Sequence, residues 1–238
     1  MKKDLLPGLD AAFAKRRRSF YTLLSFFLPL VLLVITLYCM GVTPFGEHNL
    51  AISDGRYYLN GLVNFGRMLR GEENLLYSFR NGLGGNNWSV LAWGGFCPVL
   101  PLSLLATPEN APFVLTWVIV ISFALCGLSM YLLLSELRGH RGDSLLLSTS
   151  YAFIGFNVAY CFHYYFLVGV QLLPLMILGL RRLLHGRSPL LYVCSLALCI
   201  FCSFYFGFML CAASVIYFLV WHYVRQERLF GRRLHFQR

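Results

Sequence analysis

The stretch 145-LLLSTSYAFIGFNVAYCFHYYFLVGVQLLPLMILGL-180 runs for 36 residues without an Asp, Glu, Lys or Arg. As one helix it would be about 54 Å long, far more than the roughly 30 Å of a bilayer's hydrocarbon core. It has a natural break at Asn157–His163, where polar and ring side chains interrupt the apolar run. Two crossings joined by a tight turn are therefore expected, about 145–160 and 163–180. The block 189–224 is equally long and equally free of those charges, and Ser203–Gly207 offers its turn. That gives crossings of about 189–204 and 206–224. Simpler apolar runs at 20–40 and 113–134 bring the expected number of spans to six.

Composition agrees with a membrane protein. The 238 residues are 58% hydrophobic and 13% charged, too little polar surface to keep a soluble domain dispersed. The fold class expected is all-α and polytopic. The run 20–40 is too long for the apolar part of a cleaved leader and lacks a small-residue cleavage site, so it reads as a retained span. The net charge of +10 could suggest nucleic acid, but its distribution does not. Sixteen of the twenty Lys and Arg residues fall in 1–19, 135–144, 181–188 and 225–238. These are short segments between spans, and that asymmetry sets orientation in a membrane. It places both basic tails, 1–19 and 225–238, in the cytoplasm and the loop 41–112 outside. Reading either 36-residue block as one crossing would put a basic cluster on the wrong side.

Seven of the eight cysteines lie in apolar stretches and read as small packing residues. Cys199-x-x-Cys202 is a single pair inside a span, weak as a metal or redox motif.

The outer loop carries five acids, Glu47, Asp54, Glu72, Glu73 and Glu109, and four arginines, Arg56, Arg67, Arg70 and Arg80. Beyond Tyr57, apolar residues recur at Tyr58, Leu62, Phe65 and Leu69, the spacing of a helix with one apolar face. Such a helix lies in the membrane interface or packs on the spans. Gly82, Gly84, Gly85, Asn86 and Asn87 mark an irregular turn, either a connector or a cradle for a sugar or phosphate. The stretch 91–110 is apolar but broken by Pro98 and Pro101, which suits a re-entrant or interfacial segment.

These motifs, in order, resemble a known family. They are Thr43-Pro44-Phe45-Gly46, Ser53-Asp54, the amphipathic helix, Gly71-Glu72-Glu73-Asn74-Leu75-Leu76-Tyr77-Ser78-Phe79, Gly82-Leu83-Gly84-Gly85-Asn86 and Cys97-Pro98. Pro174-Leu175 and Ser203-Phe204-Tyr205-Phe206-Gly207 continue the pattern. The resemblance is to the N-terminal part of the YfhO-like bacterial membrane proteins, of the GT-C type of glycosyltransferase. It implies transfer of a sugar from a polyprenyl-phosphate donor to an envelope acceptor such as teichoic acid, outside the plasma membrane. It also implies that an acid of the first outer loop, here Asp54, is catalytic. Two departures stand out. Tyr58-Leu59 replaces the family's Gln-Tyr, and Trp93-Gly94 replaces an aromatic pair. Family members are also several times longer, so this chain is expected to be such an enzyme or, as a truncated or split member, the N-terminal part of one.

The chemistry fits the residues. Asp54 would take the acceptor's proton. The leaving phosphate needs cations, for which Arg56 and Arg80 lead, or a divalent metal bridging its oxygens. Tyr57, Tyr58, Asn86 and His163 complete the substrate-binding candidates, with His48 as an outer-side assistant. Asp54 also suits the N-cap of the helix that follows it. The alternatives are a transporter or flippase and a non-catalytic fragment. The near absence of ionisable residues in the spans argues against a coupled transporter.

Overall fold

The computed structural model describes residues 6–52, 55–80, 83–87 and 97–236, with side chains described between 16 and 225. The chain is helical almost throughout. Helix α1 (Leu6–Cys39) leads into the long loop, which holds α2 (Gly55–Leu69), a two-stranded hairpin of β1 (Tyr77–Ser78) and β2 (Gly85–Asn86), and a 3-10 helix η1 (Leu100–Leu105). Then follow α3 (Ala111–Arg138), α4 (Gly142–Ala152), α5 (Gly155–Ala159), α6 (Phe166–Leu184), α7 (Leu190–Cys202) and α8 (Phe204–Phe236).

Among the described residues four helical segments are long and apolar enough to cross a membrane: Arg16–Cys39, Ala111–Arg138, Phe166–Leu184 and Phe204–Arg225. The two 36-residue blocks do bend where expected, the first between Phe153 and Tyr165 and the second at Ser203, whose backbone is extended. Their first arms are shorter than the sequence suggests. Helices α4 and α7, of 11 and 13 residues, rise only about 16 and 20 Å. The stop at α4 has a clear cause: the Asn157 amide donates to the Ala152 carbonyl at 2.9 Å, satisfying an end group that another helical turn would have used. Ser203 performs the break in the second block, and Gly207 lets α8 fold back until it touches the backbone of Ile200.

Helix α3 is the centre of the bundle, packing against α1, α4, α6 and α2. In its apolar window 67% of residues are buried, against 17% in α1 and in α8. Two prolines shape these contacts. Pro29 cannot donate to the Ser25 carbonyl one turn earlier. Gly127 of α3 lies directly against that carbonyl and the Pro29 ring, so close that a side-chain carbon there would sit 2.8 and 2.7 Å away. Pro174 leaves the Val170 carbonyl of α6 equally bereft, and the Tyr151 hydroxyl of α4 donates to it at 2.9 Å. At the basic end, Arg182 of α6 donates from Nε to Glu136 of α3 at 2.9 Å, and Arg187 joins the same carboxylate at 3.2 Å.

The amphipathic helix forms as the spacing predicts. Its apolar face, Tyr58, Leu62, Val63, Phe65 and Met68, is buried, and Leu62 is fully inaccessible. That face meets η1 and α3, the packed one of the two placements open to it. Gly66 allows the close approach to the Ser103 carbonyl. Arg70 then donates to the Leu104 and Ala106 carbonyls at 2.9 and 3.1 Å and pairs with Glu72, whose carboxyl it holds below the usual carboxylate range. Of the apolar stretch 91–110, the part from Cys97 onward is described: a turn and η1, packed on α2. Burial pushes the Cys97 thiol up to about 12, so it stays protonated at neutral pH. Cys199 and Cys202 are buried free thiols.

Substitutions at these contacts test the role of the prolines. Tyr151→Phe should lower stability in detergent by about 1–3 kcal/mol by leaving the Val170 carbonyl without a donor. In a Pro174→Ala background, which restores the helix's own N–H, thermal melting should show a much smaller loss from the same change. Gly127→Ala should cost about 1–3 kcal/mol through overpacking. Gly61→Ala, with nothing within 4 Å, should be neutral or gain about 0.5–1 kcal/mol.

Candidate functional site

The loop leaves α1 through a compact turn. Gly41 takes a φ of +63°, His48 donates its amide to the Gly41 carbonyl at 3.1 Å, and Thr43 donates to the His48 carbonyl at 2.7 Å. Asn49 accepts from the Ala51 amide at 3.0 Å, and Gly55 opens α2. The result is a cleft of about 870 Å³, lined by Met40, Val42, Glu47, His48, Asn49 and Arg56 among others. It sits where the first long apolar helix ends and the amphipathic helix begins. Arg56 is exposed, so its guanidinium can meet an anion without first being desolvated. Asp54 and Ser53 lie outside the described residues. Ile52, just before them, and Arg56, two residues after Asp54, both line the cleft.

A second group of side chains stands beside the start of α2. A side-chain carbon at Gly55 would touch Phe162 at 3.7 Å. One turn on, Tyr58 and Tyr165 share a hydrogen bond between their hydroxyls at 2.7 Å. The His163 ring packs edge-on to Tyr58 at 5.2 Å and lies 4.3 Å from Phe162 and 4.9 Å from Phe166. Thus Tyr58, buried, and His163, half-buried, come together in one aromatic cluster. Tyr57 stays exposed, its ring against that of Tyr58 at 5.7 Å.

The remaining candidates belong to the hairpin. Tyr77 pairs with Asn86 and Ser78 with Gly85. Asn87 is fully buried and locks the base: its amide side chain donates to the Asn74 carbonyl at 2.6 Å and its backbone to Leu76 at 3.0 Å. Gly84, at φ +119°, lies against the Tyr77 hydroxyl, where a side chain would collide. The glycine-rich stretch is therefore a shaped turn. Arg80 pairs with Glu73 and does not line the cleft, so the structure does not bring Arg56 and Arg80 into one phosphate site. Asn81 and Gly82 are outside the described residues, as are 88–96, including Trp93-Gly94.

Residues 25–235 match the family model of the bacterial membrane protein YfhO. The chain belongs to the YfhO family. No curated protein and no solved structure matches it. With four apolar helices of crossing length, the family assignment makes this a membrane protein.

Three features escaped the sequence reading. Glu47 places a carboxylate on the cleft beside His48 and Arg56; a single acid in a polar turn gave no signal. Tyr165 is the partner of Tyr58, though the run Phe162-His163-Tyr164-Tyr165-Phe166 was there to be noticed. Gln171, 2% exposed, is an amide within the apolar part of α6. Among the described residues no cluster of three His, Cys, Asp or Glu side chains is placed to hold a metal ion.

The hydroxyl pair can be measured. Tyr58→Phe and Tyr165→Phe should each lower stability by about 1 kcal/mol. The double variant should cost clearly less than the sum in thermal melting, because either change removes the same hydrogen bond.

Proposed function

We propose that this YfhO-family chain is a multi-pass plasma-membrane glycosyltransferase of the GT-C type, or its N-terminal part. It transfers a sugar from a polyprenyl-phosphate donor to an envelope acceptor such as teichoic acid. The observation that supports this reading is the cleft at the head of α2. It offers Arg56, His48 and Glu47 at the mouth of an apolar helix, where a lipid-borne phosphate would lie, and Ile52 and Arg56, two residues before and after Asp54 in the chain, line it.

In this reading the acceptor hydroxyl attacks the anomeric carbon of the donor sugar. Asp54 takes the hydroxyl proton as the new C–O bond forms. The bond between the anomeric carbon and the phosphate oxygen breaks, and its electron pair leaves on the phosphate. Arg56 is the cation best placed to stabilise that charge, since charge-assisted hydrogen bonds to phosphate are the stronger kind. Tyr58, held by Tyr165, anchors the first turn of α2, the turn that carries Arg56. His163 packs on the same ring. The described residues do not supply the ligands of a metal site, and no step here uses one.

The test uses the longest native form of the protein in membranes, with a labelled polyprenyl-phosphate sugar. Asp54→Asn should abolish transfer without reducing membrane abundance. Arg56→Gln should lower kcat/KM roughly 10- to 100-fold, the scale of one charged hydrogen bond. Arg80→Gln should have a smaller effect, since Arg80 serves Glu73. Full transfer by Asp54→Asn would refute the catalytic assignment.

A further inference from the structure

Helices α3, α4 and α6 enclose a polar spot in the apolar part of the bundle. Gln171 of α6 is buried, and neither its amide oxygen nor its amide nitrogen has a hydrogen-bond partner. The same holds for the hydroxyl of Ser122 on α3 and for the amide oxygen of Asn157, both fully buried. An amide carries one acceptor oxygen and two N–H donors. Burying it with both ends unbonded is strongly unfavourable, so each end calls for a partner.

Contacts at two levels bring these groups together. Towards the basic end, Arg182 of α6 meets Glu136 of α3. Higher up, the end of α4 meets both helices. The Tyr151 hydroxyl donates to the Val170 carbonyl of α6 at 2.9 Å, and the Phe153 ring lies 5.6 Å from the Phe123 ring of α3. Helices α3 and α6 therefore run side by side in the same direction, with Val170 close to the level of Phe123. Gln171 directly follows Val170, and Ser122 directly precedes Phe123. Gln171 also stands about three turns before Arg182, and Ser122 about four turns before Glu136, which sets both on the faces that these helices turn to each other. Asn157 joins them from the α4 side. Its amide nitrogen donates to the Ala152 carbonyl, and it lies against the Cys126 thiol of α3, one turn from Ser122.

The surroundings restrict what can complete these bonds. The ligand must both donate and accept. It must be neutral, because residues 111–135 and 144–180 hold no Asp, Glu, Lys or Arg to balance an ion. It must be very small, because all three groups are enclosed. Water meets each condition, and buried water bridges polar groups that a fold leaves unbonded.

We propose that Gln171, Ser122 and Asn157 form a binding site for buried water in the core between α3, α4 and α6. The water donates to the Gln171 and Asn157 amide oxygens and accepts from the Ser122 hydroxyl. The site is distinct from the cleft at the head of α2, and its test does not depend on any transfer activity.

The test is solid-state NMR on the full chain in deuterated lipid bilayers, with isotope-labelled glutamine and carbonyl-labelled valine. Of the three glutamines only Gln171 follows a valine, so its signals are identified without a substitution. Magnetisation should pass from water to the Gln171 side-chain amide. Absence of that transfer would mean a dry amide and overturn the proposal. In Ser122→Ala the transfer should fall roughly twofold, because one of the about three hydrogen bonds that hold such a water is lost. In Ser148→Ala, which removes a buried hydroxyl already bonded to the Leu145 carbonyl of its own helix, it should stay unchanged. Full transfer in Ser122→Ala, or an equal loss in both variants, would overturn the site. Should Ser122→Ala fail to fold, the wild type decides through the presence or absence of transfer at Gln171.

Discussion

A proline inside an apolar helix leaves one carbonyl without its donor, and in surroundings without water that carbonyl must find another partner. Much of this bundle follows from that constraint. In α1 the freed Ser25 carbonyl forms part of the surface on which Gly127 of α3 settles. In α6 the freed Val170 carbonyl takes a hydrogen bond from Tyr151 of α4. Each solution joins two helices that would otherwise meet through dispersion alone, since lipid tails are as apolar as leucine. The first of these contacts lies on α3 itself, and the second joins α4 and α6, which both pack on it.

From that axis the outer loop takes its form. The first arms of the two folded-back blocks are short, and α2 with η1 packs into the same apolar core as α3, α6 and α7. Burying α2 on one face directs its polar side outward and sets Arg56 on the cleft. Tyr58 turns inward, and its hydrogen bond to Tyr165 ties the loop to the segment that precedes α6. The site's rigid side is therefore an extension of the core rather than a loop resting on it.

Much of this was legible in the sequence. The excess length of 145–180 and 189–224 predicted a fold-back in each, and Asn157 and Ser203 marked where. The spacing of Tyr58, Leu62 and Phe65 predicted α2 and its buried face. What it could not give was reach between distant residues. Tyr58 and Tyr165 are 107 positions apart, and no local pattern links them. Helix length was misjudged for a related reason. Apolar composition continues past Ala152 towards Tyr160, but Asn157 closes α4 from outside it, and hydropathy does not register a hydrogen bond. Arg56 and Arg80 looked equivalent as loop cations. The pairing of Arg80 with Glu73 and the place of Arg56 on the cleft separate them.

The contrast between α3 and its outermost neighbours has a consequence for how this chain can vary. Where α3 meets Pro29 or Arg182, a residue is constrained by shape or by a single hydrogen bond, so few alternatives fit. Along the outer faces of α1 and α8 the requirement is only to be apolar, and Phe, Leu, Ile and Val can exchange with little effect. Substitutions should therefore accumulate unevenly around the bundle. Homologues would diverge fastest on the two peripheral helices while keeping the small and polar residues of the centre.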